Sequence, residues 1–155
     1  MLDDVGAQGR FERCFTVSEK GGDKPRNGQT LRLRCKGGPT LTLLSVTGLD
    51  KRPHRVAAYT EATLEPWTGW RADPKATLVA FDPYTTHRAK NPKLAVDNRD
   101  GSFGPSFGAG HDLHVGVGLE TGLSFPKSYL DRDDKTFVGG IGPFRIDRLE
   151  VFLRR

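Results

Sequence analysis

The sequence predicts a mainly β fold, a two-sheet antiparallel β-sandwich, and three observations support this. The chain holds 19 glycines and 10 prolines in 155 residues, more than the roughly 12% of average usage, and both residue types interrupt helices. Its apolar residues occur in short runs, several of which alternate with polar residues. Turns rich in Gly, Pro and Asp separate about eight such runs. These features exclude an all-helical fold.

The sequence predicts one domain preceded by a short N-terminal segment. Residues 1–10 are polar and patternless, so we expect them to form a flexible N-terminus. The remaining residues, 11–155, are expected to form a single domain, because the length is close to the usual size of one domain. Residues 19–28 combine charge with Gly and Pro and predict a surface loop.

Residues 30–36 alternate with a period of two, which predicts a half-buried strand with a basic outer face. The apolar positions are Leu31, Leu33 and Cys35, and the basic positions are Arg32, Arg34 and Lys36.

Five further segments predict strands from their β-branched and apolar content. Residues 39–46 read as a central strand, and residues 55–60 are expected to pair with it as a hairpin. The others are residues 76–81, 93–96 and 113–117. A last strand, residues 144–153, changes its apolar register near Asp147 and Arg148, so we expect a β-bulge there. Residues 84–92 look polar and irregular.

Cys14 and Cys35 lie 21 residues apart without a CxxC motif. No secretory signal is visible and an intracellular location keeps thiols reduced, so we expect both to be buried, unbridged thiols.

Candidate catalytic and ligand-binding groups are few. His111 and Asp112 resemble a catalytic pair, but neighbouring strand residues point to opposite faces, so a structural role is expected, with Asp112 bound to backbone amides of the glycine loop. The other histidines, His54, His87 and His114, lack metal-ligand spacing. The glycines precede a strand rather than a helix, which argues against a phosphate cradle. Residues 131–134 lack the pattern of a calcium loop and predict a solvated turn. No catalytic, cofactor or metal site is therefore predicted.

Two surfaces are candidates for binding a partner. The net charge of +5 and the basic positions Arg32, Arg34 and Lys36 favour an acidic protein partner. Trp67 and Trp70 lie in a long connection, where they would either cover the core or anchor a partner. The charges are scattered, which does not indicate nucleic acid, and no apolar stretch is long enough to insert into a membrane.

Five segments, in order along residues 11–153, resemble the TLDc domain family of oxidation-resistance and TBC/LysM-associated proteins. The most specific is the glycine loop, residues 103–113, which is similar to the family's Gly-Pro-Thr-Phe-Gly-Gly-Gly-His-Asp-Leu. The others are residues 38–43, 58–62, 70–81 and 144–152. The resemblance departs at Ala57, Ala58 and Ala109, where the family favours glycine, and at residues 30–36, where family members often have a helix. The structural motif residues it assigns are Gly104, Pro105, Phe107, Gly108, Gly110, His111, Asp112, Glu150 and Phe152.

The resemblance implies a β-sandwich with a few short helices and an intracellular, non-catalytic interaction module. It also implies a link to oxidative-stress protection, or to binding of the vacuolar proton pump. Two other functions stay open from the sequence. The chain could be a structural subunit of a large intracellular assembly, such as a cytoskeletal or ciliary particle, or a small enzyme.

Overall fold

The computed structural model describes residues 2–129 and 137–155, and that part of the chain is mainly β and antiparallel, with one short α-helix. The strands are β1 Phe11–Ser18, β2 Gly21–Gly22, β3 Thr40–Thr47, β4 Pro53–Thr60, β5 Gly69–Arg71, β6 Thr77–Phe81, β7 Tyr84–Arg88, β8 Val96–Asn98, β9 Ser106–Phe107, β10 Leu113–Val115, β11 Thr121–Ser124 and β12 Gly142–Arg154. The helix α1 spans Gly28–Arg34, and a 3-10 turn spans Pro92–Leu94. The predicted fold class is confirmed.

The strands follow one antiparallel path, in the order β5, β8, β9, β10, β11, β12, β3, β4, β6 and β7. The 13-residue strand β12 connects the two halves, since it pairs with β3 along one edge and with β11 and then β1 along the other. Side chains of both halves meet in one buried cluster, which includes Phe107 and Leu113 from one half and Leu44, Val56 and Leu78 from the other. The path therefore forms two packed layers.

Several predicted strands are present with the expected pairing. Strands β3 and β4 form the expected hairpin, in register from Thr40 opposite Thr60 to Thr47 opposite Pro53. The register between β12 and β3 shifts between Ile146 and Arg148, so the predicted bulge is confirmed. A bulge inserts one residue and lets the apolar side chains on both sides of it face the core. Phe144, Ile146, Leu149, Val151 and Leu153 are accordingly all buried.

Several described regions contain structure that the sequence did not predict, among them the short strands β2, β5, β9 and β11. Residues 84–88, expected to be irregular, form β7, which pairs with β6 at the end of the path. At the N-terminus, Val5 and Ala7 are buried against the outer face of the sheet, in a cluster with Leu41 and Tyr59. Residues 131–134, predicted to be a solvated turn, lie outside the described residues.

The strand predicted at residues 30–36 is wrong, because this segment lies mostly in helix α1. Asn27 caps the helix by accepting a hydrogen bond from the Thr30 amide at 2.8 Å. Leu31 and Cys35, four positions apart, share the buried face, whereas Leu33 is exposed. Seven residues are too few to distinguish a period of two from the helical period when one of the basic residues is also buried.

The prediction of two unbridged thiols is also wrong. Cys14 of β1 and Cys35 at the end of α1 form a disulfide, with their Cα atoms 5.5 Å apart. The prediction relied on an assumed reducing compartment and on the absence of a spacing motif. The pairing instead results from packing α1 beside β1, a tertiary contact that the spacing of 21 residues does not reveal.

Candidate functional site

A cavity of about 400 Å³ opens beside the loop between β4 and β5. We call it the tryptophan site, and its walls carry Trp67, Asp97, Arg99, Asp100, Phe103, Ser106 and His111. Two stretches of the chain supply these residues: the loop before β5, which carries Trp67, and residues 97–111, which run from β8 into the glycine loop. The site thus depends on how the glycine loop packs against β8.

Trp67 is the most exposed large apolar side chain of the site, with 60% of its surface accessible. Its backbone has a φ of 62°, a left-handed conformation that is unfavourable for a bulky residue. The indole packs over Gly101, where an added Cβ would lie 2.9 Å from the ring nitrogen. Trp67 is therefore exposed and is not a cover for the core.

Trp70 is half-buried and belongs to a stacked ion pair. Arg99 donates to both carboxylate oxygens of Asp97, at 3.0 and 2.9 Å, and its guanidinium lies 4.5 Å from the centre of the Trp70 ring. Burial raises the pKa of Asp97, but the hydrogen bonds and charge of Arg99 outweigh it, so the pKa lies below its ordinary value. The carboxylate is therefore ionised at neutral pH.

The floor of the site is formed by Ser106 and His111, which contact the buried His114 beneath them. Ser106 Oγ lies 2.7 Å from Nδ1 of His114, and Ser106 also donates to the Gly104 carbonyl at 3.2 Å. The rings of His111 and His114 stack with centres 4.4 Å apart, and Phe103 meets His114 edge-on. Burial, and then the charge of His111, lower the pKa of His114 to about 4. His114 is consequently neutral at pH 7 and a weak base.

His111 and Asp112 do not form a pair, as expected, but the reason differs from the expected one, because both precede β10 rather than lie on a strand. His111, with a φ of 59°, turns its ring toward Asp97, with 3.8 Å between Nε2 and Oδ2. Asp112 is buried and accepts hydrogen bonds from backbone amides. The amides, however, are those of Lys127, Ser128 and Tyr129 rather than those of the glycine loop, so that part of the prediction is wrong.

Arg32, predicted to lie on an exposed basic face, is fully buried beneath the glycine loop. Its guanidinium donates to the carbonyls of Phe103, Gly104 and Asp97 at 2.8 to 3.0 Å, to the Leu64 carbonyl at 3.4 Å, and to Oδ1 of Asn98. Burial lowers its pKa to about 10, which still leaves it charged at pH 7. Its assignment to the partner-binding surface is therefore wrong.

The other two basic positions do not form a face with it. Arg34 is exposed but pairs with Asp23 at 3.1 Å and donates to the Lys24 carbonyl. Lys36 is exposed just beyond the helix. Because α1 turns its residues around an axis, Arg32, Arg34 and Lys36 point in different directions, and the predicted basic strand face does not exist.

The remaining motif residues have packing roles. In the glycine loop, Gly104 fits against Val115, and Gly108 has a φ of 83°. Phe107 is fully buried, Pro105 accepts from the Val115 amide, and Gly110 lies against Lys127. On β12, Glu150 accepts hydrogen bonds from Arg13 and Arg148. Phe152 packs on the buried cluster that contains Leu41 and Tyr59.

The strand predicted at residues 93–96 is mostly wrong, because Pro92–Leu94 form a 3-10 turn and β8 begins only at Val96. Sequence reasoning gave no binding role to Asp97, Arg99 or Ser106, which lie on or beside strands of only three and two residues, and it considered His114 only as a metal ligand. The three-residue spacing of His111 and His114 could have indicated that their rings meet, because the left-handed backbone of His111 places both rings on the same side.

No family model matches the chain, and no curated protein matches it. In the part of the chain that the structure describes, no three His, Cys, Asp or Glu side chains are grouped as a metal site. Over the same residues, no helix is long and apolar enough to cross a bilayer.

Proposed function

We propose that this chain is a non-catalytic, intracellular protein-interaction module of the TLDc type, and that it binds its partner through the tryptophan site. The order of the five motifs and the mainly β fold support the family. The position of Trp67 supports the site.

The observation that carries the proposal is the exposure of Trp67 beside a cavity with polar walls. Exposed tryptophan is costly in water, whereas Trp and Arg are the side chains most enriched where binding energy concentrates. Here Trp67 and Arg99 lie together at the mouth of the cavity, and the strained backbone of Trp67 holds the indole outward. This combination favours an anchoring role.

The chemistry of the floor favours binding over catalysis. Ser106 and His114 have the separation of a nucleophile and its base. A general base works best with a pKa near the working pH, and a pKa of about 4 makes His114 a poor acceptor of the serine proton. The pair is better suited to holding the glycine loop against β10.

Capture of partners from cells that express the chain tests the proposal. Wild-type protein, Trp67→Ala and Leu49→Ala are immobilised and the bound proteins are quantified by mass spectrometry. Leu49 is also half exposed but lies outside the tryptophan site, so Leu49→Ala controls for non-specific hydrophobic adsorption. We expect a set of proteins that Trp67→Ala loses and Leu49→Ala keeps. Equal capture by all three would contradict the proposal.

The same three proteins can be tested against the purified vacuolar proton pump, the partner that the family resemblance favours. Binding that needs Trp67 would support both the site and the family. Binding that is indifferent to Trp67 would place the interface elsewhere on the molecule.

A further inference from the structure

The disulfide lies next to the helix that supports the tryptophan site. Cys35 is the C-cap of α1 and is fully buried, whereas Cys14 on β1 is half-buried. The bridge therefore ties the C-terminal end of α1 to β1. It does so three positions after Arg32, which is on the same short helix.

Helix α1 in turn holds two walls of the tryptophan site. Arg32 binds the carbonyls of Phe103 and Asp97, and the side chains of those two residues line the cavity. At the other end of α1, Gly28 packs so closely that an added Cβ would lie 2.1 Å from the Phe103 carbonyl carbon. The helix thus touches the glycine loop at both Gly28 and Arg32.

A helix of seven residues is too short to be stable alone, and its position depends on its anchors. Those anchors are the Asn27 cap, the buried Leu31 and Arg32, and the disulfide. The bridge is the one covalent anchor among them, so its loss acts first on α1 and then on the residues that Arg32 holds.

We propose that Cys14–Cys35 is a redox-controlled clamp on the tryptophan site. While the bridge is closed, α1 holds Phe103 and Asp97 in their binding positions. When it is reduced, α1 loosens and the walls of the site become mobile. The effect on partner binding rests on the proposed function, whereas the effect on the glycine loop does not.

The reductant is a dithiol. Its thiolate attacks Sγ of Cys14, the more exposed of the two cysteines, and the Sγ–Sγ bond breaks to release the Cys35 thiolate. The second thiol of the reductant then displaces Cys14, so the dithiol is oxidised to a disulfide and its two protons pass to Cys14 and Cys35. A reducing intracellular compartment supplies such dithiols and would hold the bridge open, so the clamp closes only where these two thiols become oxidised.

Amide hydrogen exchange, measured by mass spectrometry, tests the clamp directly. The proteins are the oxidised wild type, the wild type in dithiothreitol, and Cys14→Ala/Cys35→Ala with and without dithiothreitol. We compare exchange in residues 97–104, which includes the Gly104 amide bonded to Val115, with exchange in residues 43–57 of β3 and β4. Local opening raises exchange in the affected segment alone.

Loss of a disulfide also lowers global stability, so a matched control is needed. Leu78→Ala removes buried side-chain volume from β6, outside both measured segments, and supplies that control. We expect the ratio of exchange in 97–104 to that in 43–57 to rise about tenfold on reduction, and to remain unchanged in oxidised Leu78→Ala. The exchange ratio of the double variant should equal that of the reduced wild type and should not change when dithiothreitol is added.

A ratio that stays the same on reduction would overturn the clamp, and so would an equal rise in oxidised Leu78→Ala. Any partner whose capture needs Trp67 should bind more weakly to the reduced protein, and equal binding would overturn the control of binding. If Trp67→Ala changes no capture, the proposed function fails, while the exchange ratio still decides the clamp.

Discussion

Arg32 shows how far a single residue can differ from its sequence-based interpretation. A buried guanidinium is tolerated when each of its donors finds an acceptor, and carbonyls of the glycine loop, β8 and Leu64 supply them. Burial lowers the pKa of Arg32, and the carboxylates of Asp97 and Asp100 partly oppose this shift. The Arg32 guanidinium therefore links α1 to β8 and to the glycine loop.

Replacing Arg32 with Met should therefore be strongly destabilising. The substitution keeps an apolar side chain but leaves several buried carbonyls without donors, and each unsatisfied group costs about 1–3 kcal/mol. We expect the free energy of unfolding in urea to fall by at least about 3 kcal/mol. The control is Arg34→Met, on the exposed side of the same helix, which should change it by less than about 0.5 kcal/mol. Similar losses in both variants would contradict this role.

His114 predicts a specific dependence of stability on pH. Its pKa is about 4 in the folded protein, whereas the ordinary value of 6.5 applies when unfolded. Between these values the unfolded chain binds the proton and the folded protein does not, so stability is lost as pH falls from 6.5 toward 4. The slope from this residue is at most about 1.4 kcal/mol per pH unit.

His114→Asn keeps a polar group near Ser106 but cannot take up the proton. Urea unfolding at a series of pH values should therefore show a shallower loss of stability for the variant than for the wild type over that range. Parallel curves would mean that His114 is not held neutral by burial.

At the scale of elements, sequence patterns worked where an element is long. The alternation in residues 39–46 and the register change in residues 144–153 predicted β3, β12 and the bulge. The patterns failed for α1, because Arg32 was taken to mark a solvent-exposed position although it is buried. They also failed for the short strands β8 and β9. The tryptophan site is built on loops and on β8 and β9, where sequence patterns are weakest, which explains why only Trp67, Trp70 and the glycine loop could be singled out from the sequence.

The glycine loop gives a prediction for an element rather than for one contact. Gly108 has a φ of 83°, and an added Cβ would lie 2.1 Å from Oδ1 of Asp112, the carboxylate that binds residues 127–129. Gly108→Val should lower stability by about 1–3 kcal/mol from the backbone alone. Gly118→Ala is the matched control, because nothing lies within 4 Å of its Cβ position. An unchanged melting temperature for Gly108→Val, measured beside Gly118→Ala, would contradict this argument.

At the scale of the whole molecule, the net charge of +5 does not create a basic surface at the segment where we expected one. The fold removes Arg32 from solvent and pairs Arg34 with Asp23. Other exposed arginines also have carboxylate partners, as in Arg13 with Glu150, Arg55 with Asp82 and Arg155 with Glu12. Such pairs contribute little stability, but they neutralise the field that would steer an acidic partner.

Binding through the tryptophan site should accordingly depend weakly on salt, in contrast to the salt sensitivity that an exposed basic face would give. Raising salt from 0.1 to 1 M shortens the Debye length from about 10 to about 3 Å and suppresses attraction between exposed charges. For a partner whose capture needs Trp67, we expect the association rate to change by less than about threefold over this range, and Arg34→Glu to leave it similar. A steep loss of rate with salt, shared by Arg34→Glu, would instead show that surface cations guide the encounter and that Trp67 acts only after it.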